Sequence, residues 1–249
     1  MVIKELDFKW FMSNIVLFND DCFNILEKLP KMDLVVTDPP YSFNAKKIKI
    51  GSGGTVNNIK KFDVSLAQLN DKNLINSYDI VTFGNILLKI QDEINVYFWC
   101  NKNQIPEYLD FYVNKHKCKF DILCWHKPNA LPTYANKYLT DTEYLLYFHS
   151  GSGKCFPKDY EDAKTYHLLP INHKDKKLYN HPTIKPLEIT MKIIRNSSKE
   201  GQNVLDPFMG SGTTGVACKK LNRNFYGIEI ASDYFEMAKN RIDEKRRLF

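Results

Sequence analysis

Asp38-Pro39-Pro40-Tyr41 follows the apolar run Leu34-Val35-Val36-Thr37, a placement that predicts the C-terminal end of a buried strand. Open α/β sheets bind their ligands at such ends. Two consecutive prolines remove two N–H donors and hold φ at about −65°, so this corner offers carbonyls, a carboxylate and an aromatic ring in a stiff arrangement. The set is an acceptor-rich clamp for a planar amine. An exocyclic amino group on a nucleobase is a poor nucleophile, because its lone pair is delocalised into the ring. A clamp that pulls on both amino hydrogens turns that pair out of the ring plane. Asp38 and a proline carbonyl supply the acceptors, and Tyr41 supplies a face on which the base stacks. The plain alternative is a Pro-Pro turn with Asp38 as an ordinary turn residue.

A second pattern lies near the C-terminus. Val204-Leu205 runs into Asp206-Pro207-Phe208-Met209-Gly210-Ser211-Gly212-Thr213-Thr214-Gly215, which reads as a strand, a glycine-rich turn and a helix start. Gly210, Gly212 and Gly215 satisfy G-x-G-x-x-G, and Glu229 closes the next apolar run, where an acid can hold ribose hydroxyls. A dinucleotide would be the first reading. Against it, Asp206-Pro207-Phe208 widens the turn beyond a pyrophosphate loop, and the 20 residues after Glu229 are too few to complete a nucleotide-binding sheet. An amine clamp also occupies another strand end. No Lys directly follows the glycines, which excludes a P-loop. An acid opening the turn and another closing the next strand suit a nucleoside with a cationic substituent, and S-adenosylmethionine is such a ligand. Asp206 would face its ammonium group, the glycine turn would admit its methionine part, Glu229 would take its ribose hydroxyls and Phe208 would sit against the sulfonium. Core packing is the competing reading of Phe208 and Met209.

These corners need a rigid scaffold, and the chain is long enough for one. Its 249 residues are 43% hydrophobic and 26% charged with no low-complexity tract, as expected of one large α/β domain over 1–249. The candidate strands are Ile15–Asn19, Asp33–Thr37, Asn95–Cys100, Lys119–Trp125, Glu143–Phe148, Asn203–Leu205 and Asn224–Ile228. Between them the periodicity predicts helices over Cys22–Leu29, roughly Leu69–Ile90, Gln104–Lys115, Pro186–Asn196, Thr213–Leu221 and Ser232–Arg246. Pro186 fits a first helical position and Ser232 an N-cap. Alternation of this kind predicts a doubly wound, mostly parallel seven-stranded sheet. Two stretches lack periodicity: 42–63, expected as a mobile loop near the site, and 150–180.

The net charge of +6 is unevenly placed. Lys46, Lys47, Lys49, Lys60 and Lys61 bracket a glycine-rich loop, and Lys174, Lys176 and Lys177 form a second cluster; both can face phosphates or simply be solvated. The six cysteines show no CxxC pair, which argues against zinc and against a disulfide framework, so no metal is expected. With no signal-peptide core and no long apolar window, the expectation is a cytoplasmic protein without membrane contact.

Taken together, the motifs resemble the β group of amino-directed DNA methyltransferases, whose catalytic motif precedes the cofactor motif in a circularly permuted order. Asp38-Pro39-Pro40-Tyr41 looks like their motif IV and Asp206–Thr214 like their motif I. Asn19-Asp20-Asp21-Cys22 resembles the family's Gly-Asp-Cys segment, with Asp20 in place of Gly, and implies that Asp21 contacts the cofactor's adenine amine and that Cys22 belongs to the cofactor site. His181-Pro182-Thr183-Ile184-Lys185-Pro186 is similar to the segment lining the methionine end of the pocket, which brings in Thr183 and Lys185. Phe225-Tyr226-Gly227-Ile228-Glu229 resembles motif II, with Ile230 next to it, while Trp125–Asn129 and Glu143-Tyr144 look like the family's middle strands. Each motif is weak alone, but five in the right order over about 210 residues are specific.

The resemblance implies a sheet of the S-adenosylmethionine-dependent methyltransferase type and transfer of a methyl group to an exocyclic nitrogen of a base in duplex DNA. A base inside a duplex cannot reach a sulfonium methyl group, so it must be flipped out. Pro207 belongs to the cofactor turn and Pro40 stiffens the clamp. Asp in the first motif position is typical of the adenine-N6 enzymes and Ser of the cytosine-N4 enzymes, which makes adenine the expected base. A protein-glutamine methyltransferase would carry Asn before Pro-Pro-Tyr and the opposite motif order. From another class, an idle subunit with this fold would bind DNA or a partner without catalysis. Relatives are often homodimers, a cognate restriction endonuclease is a candidate partner, and segment 150–180 is the candidate for target recognition.

Overall fold

The computed structural model describes residues 10–12, 14–40, 79–130, 132, 137–152, 154–179 and 183–244. Tyr41, the expected mobile loop 42–63, the N-terminal half of the helix expected from Leu69, and His181-Pro182 lie outside the described residues.

The strands are β1 (Trp10–Met12), β2 (Ile15–Phe18), β3 (Leu34–Thr37), β4 (Asn95–Cys100), β5 (Lys119–His126), β6 (Thr142–His149), β7 (Tyr166–Leu168), β8 (Asn203–Asp206) and β9 (Asn224–Ile228). Among the described residues they form one sheet in the order β1-β2-β9-β8-β3-β4-β6-β5-β7. The ladders from β2 through β9, β8 and β3 to β4 are parallel, and the β4–β6 and β5–β6 pairs are antiparallel. All seven expected strands occupy the contiguous centre. Two three-residue strands enlarge the expected seven-stranded sheet, β1 pairing with β2 and β7 with β5. β7 belongs to segment 150–180, so part of that stretch is built into the sheet edge.

The helices are α1 (Cys22–Ile25), continued by a tight turn over Leu26–Lys28, α2 (Ile80–Ile90), α3 (Ile105–Leu109), continued by a wider π-type turn over Asp110–Lys115, α4 (Tyr160–Ala163), α5 (His173–Leu178), α6 (Leu187–Ser197), α7 (Thr213–Lys220) and α8 (Ser232–Asp243). Successive strand residues point to opposite faces, and both faces are covered. Val35, Val96, Phe98, Leu205 and Ile228 pack with Ile25, Phe83, Leu87 and Tyr112 from α1 to α3. Leu34, Val36, Tyr97, Val204 and Phe225 pack with Ile193, Ala217 and Phe235 from α6 to α8. This is the doubly wound arrangement that the apolar runs predict. None of the described helices is long and apolar enough to cross a membrane.

Two helix starts differ from expectation. Pro186 is the N-cap of α6, with ψ 122°, and the helix begins at Leu187. Ser232 is the first residue of α8, and Ala231 is its cap. The Ser232 hydroxyl donates to Asn19 Oδ1 (2.8 Å), while Glu229 Oε1 accepts from the Ala231 N–H (2.8 Å). A long-range pair and an upstream acid have replaced the local serine cap.

Candidate active site

β3 and β8 are parallel neighbours, with Leu34 opposite Val204 and Val35 opposite Leu205, so Asp38 and Asp206 emerge side by side at the C-terminal edge of the sheet. They share a cavity whose wall also includes Thr183, Lys185, Phe208, Gly210 and the hydroxyl residues Ser211, Thr213 and Thr214. Asp38 of the sequence-predicted clamp and the cofactor turn therefore open into one space. Asp206 is 4% exposed; its Oδ2 accepts from Thr214 Oγ1 (2.6 Å) and its Oδ1 from the Phe208 N–H (3.2 Å). Burial pushes its carboxyl up to about 7, against the pull of the Thr214 hydroxyl and the Phe208 N–H and with added repulsion from Asp38. Among the described residues no cation pairs with it. A cationic ligand group would fit there.

Asp38 has the opposite environment. Lys185, just ahead of α6, places its Nζ 2.8 Å from Asp38 Oδ2, 2.9 Å from Glu143 Oε2 and 5.2 Å above the Trp99 ring. Glu143 opens β6, which runs antiparallel to β4 and β5, so it returns to the same sheet edge opposite Trp125. Its other oxygen accepts from Lys127 Nζ at 2.8 Å, and Lys127 lies 5.2 Å above the Trp125 ring. Two acids and two lysines thus form a charge-balanced row over two indoles that meet edge to face at 6.2 Å. Burial alone would favour neutral forms. The facing charges overrule it, holding Glu143 down at about 2 through Lys185 and Lys127, and holding Lys185 above the usual lysine range through Asp38 and Glu143.

A family model described as DNA methylase matches residues 32–240. The chain belongs to the amino-directed N6/N4 DNA methyltransferases. It is 30% identical to the Type II methyltransferase M2.LlaDCHI of Lactococcus lactis subsp. cremoris over 93% of this chain and 90% of that one. It is 29% identical to M2.DpnII of Streptococcus pneumoniae over the same shares. Among solved structures, M1.HpyAVI in complex with SAM superposes with a TM-score of 0.65 at 26% identity, covering 92% of this chain and 99% of that one. The cytosine-N4-specific PvuII DNA methyltransferase shares the fold at the same TM-score and 17% identity, covering 96% of this chain and 89% of that one.

The remaining predicted residues of this methyltransferase fall into two groups. Glu229 and Ile230 directly follow β9, and Asp21 and Cys22 are the cap and first residue of α1 after β2, whose Phe18 pairs with Ile228. Asn19 binds the two segments together, donating to the carbonyls of Glu229 (2.8 Å) and Ile230 (3.2 Å). Asp21 caps α1 through the Phe23 N–H (3.0 Å), Cys22 is buried and Ile230 is exposed. Glu229 is 5% exposed, and its Oε2 accepts from the Gly210 N–H (3.0 Å) while Oε1 accepts from Ala231. Its carboxylate holds the glycine turn and the α8 start in place. Pro207 is buried, and Phe208 packs against Phe83 with ring centroids 5.5 Å apart while still facing the cavity. Met209 is core.

Two of the glycines do something other than admit a ligand. A side chain on Gly212, at φ +72°, would meet Ala238, and one on Gly215 would meet Phe225 and Ile242. Their missing side chains let the turn and α7 press against α8. Sequence reasoning also missed Arg241. From α8 its guanidinium donates to Ser211 O (2.9 Å), Ser211 Oγ (3.1 Å) and Thr213 Oγ1 (2.9 Å), and it lies 4.8 Å above the Tyr179 ring. No local motif marks it. Lys127 serves the charge row, Trp125 lies in the core, and the Asn129 side chain bonds both the carbonyl and the N–H of Ile171. Among the described residues no His, Cys, Asp and Glu cluster could hold a metal ion.

Proposed function

We propose that this protein transfers a methyl group from S-adenosylmethionine to the N6 amino group of adenine in duplex DNA, with the base flipped out of the helix. The carrying observation is the placement of Asp38 and Asp206 at the ends of adjacent strands around one cavity. The cofactor is S-adenosylmethionine, and the residues fit it. Asp206 has a buried carboxyl in want of a cation, which the ligand's ammonium brings. Thr183, Ser211 and Thr213 offer hydroxyls to its carboxylate, with Arg241 drawn up behind them. Glu229 and Ile230, facing the Asp21-Cys22 corner, suit the nucleoside end. When bound, the cofactor supplies an electrophilic methyl group.

The chain's own residues do the rest by positioning. Asp38 and the Pro39 carbonyl accept the amino hydrogens, Tyr41 stacks on the flipped base, and the prolines keep the acceptors from relaxing. Adenine is favoured over cytosine by the Asp at the first position of the motif, following the family tendency. The expected partners besides DNA are a second copy of the chain and a cognate restriction endonuclease, both carried by the family resemblance alone. The test uses methyl-labelled S-adenosylmethionine with duplex and single-stranded DNA, followed by mass spectrometry of the nucleosides. N6-methyladenine is the expected product. N4-methylcytosine alone would overturn the choice of base, and DNA binding without transfer would leave the idle-subunit reading.

A further inference from the structure

The charge row beside the clamp is more than the clamp's chemistry requires. An acceptor for an amine needs one carboxylate, yet here Asp38 is followed by Lys185, Glu143 and Lys127 in alternation, each within 2.9 Å of the next. The row draws on the end of β3, the segment ahead of α6, the start of β6 and the residue after β5. Four separate parts of the chain converge on one carboxylate. Among the described residues, the other titratable groups facing it are Asp206 on β8 and the buried Cys100 thiol on β4, whose own ionisation burial disfavours.

The methyl transfer itself creates a proton to dispose of. As the amine nitrogen bonds to the methyl carbon, the C–S bond breaks and sulfur keeps its electron pair; the nitrogen becomes cationic and then loses a proton. If Asp38 took that proton, Lys185 and Lys127 would face only one carboxylate in a largely buried row, an arrangement that the lost Coulomb attraction disfavours. On the strength of the proposed function, we propose that Lys185, fixed by Glu143 and Lys127, is a positioning residue that keeps Asp38 anionic throughout the transfer, so that Asp38 only accepts hydrogen bonds and the proton leaves to water.

The experiment is the single-turnover rate of methyl transfer against pH at saturating S-adenosylmethionine and DNA, which removes the titration of Asp206 on cofactor binding from the profile. Wild type should keep its rate well into the acid range. Lys185→Gln should move the acid limb up by about one pH unit or more and Lys127→Met, which does not touch Asp38, should move it less in the same direction, whereas Glu143→Gln, which removes a like charge and leaves Lys185 to Asp38 alone, should not move it up. Lys185→Arg should keep a near-native profile and Lys185→Gln should show the largest displacement. Binding of S-adenosylmethionine at alkaline pH, measured alongside, shows that each variant is folded; the peripheral Lys127→Met carries the test if Lys185→Gln is not. Lys185→Gln and Lys127→Met variants that slow the reaction uniformly with an unmoved acid limb would overturn the proposal. Wild type that transfers no methyl group at any pH would instead sink the function on which it rests, so the two failures are distinguishable.

Discussion

Asp38 and Asp206 sit at the ends of neighbouring strands around one cavity, yet the fold treats them in opposite ways. Asp38 has a lysine at 2.8 Å, backed by a further acid and a further lysine. Asp206 has a hydroxyl and an amide, and burial holds its carboxyl up at about 7. A carboxylate already paired with a cation keeps its charge when a neutral amine arrives. One without a cation is partly protonated at neutral pH and gains most from a ligand that brings a positive charge. In the proposed function the same residue type thus serves a neutral base on one side and a cationic cofactor on the other. Environment, rather than residue identity, divides the labour.

Substitutions should separate the two sides. Asp38→Ala is expected to lower the single-turnover transfer rate by at least about a hundredfold while leaving cofactor affinity nearly unchanged, as rapid-quench assays and calorimetry would show. Asp206→Asn should do the reverse, weakening S-adenosylmethionine binding by roughly 10- to 100-fold with a smaller effect on the saturated rate. Equal losses of rate and affinity in both variants would break the comparison. Arg241→Met, which removes the support of Ser211 and Thr213, should weaken cofactor binding by about five- to tenfold and leave the acid limb of the transfer rate in place.

The pH dependence of stability gives a finer contrast. Asp206 has a raised folded-state pKa, so its contribution is fully present below the unfolded carboxyl range and is lost as pH rises through about 7. Glu143 is depressed to about 2, so its contribution is present above the unfolded range and is lost as pH falls through about 2. Denaturant titrations of the cofactor-free protein should show Asp206→Asn flattening the neutral slope and Glu143→Gln flattening the acid one.

Much of this was legible in the sequence because the relevant signals are local. Apolar runs such as Leu34-Val35-Val36 and Val204-Leu205 mark strands buried on both faces, and the motifs directly after them are carried to the same sheet edge. β1 and β7 were not legible, since three-residue edge strands carry no period of their own. The charge row was also invisible, because Glu143 and Lys185 stand 42 positions apart and meet only when β6 runs back antiparallel to β4. Ser232 misled for a related reason: its hydroxyl has a distant partner in Asn19, whereas a cap rule sees only the neighbouring sequence. Gly215 misled as well, its bare backbone serving helix packing behind the turn.

The difference between the two acids is tested most directly by counting protons when S-adenosylmethionine binds. Calorimetric titrations at pH 7 in buffers of different ionisation enthalpy give that number. Wild type should release about half a proton as the carboxyl of Asp206 ionises beside the incoming ammonium, and Asp206→Asn should release markedly less. No release by wild type, or an equal release by Asp206→Asn, would contradict the account.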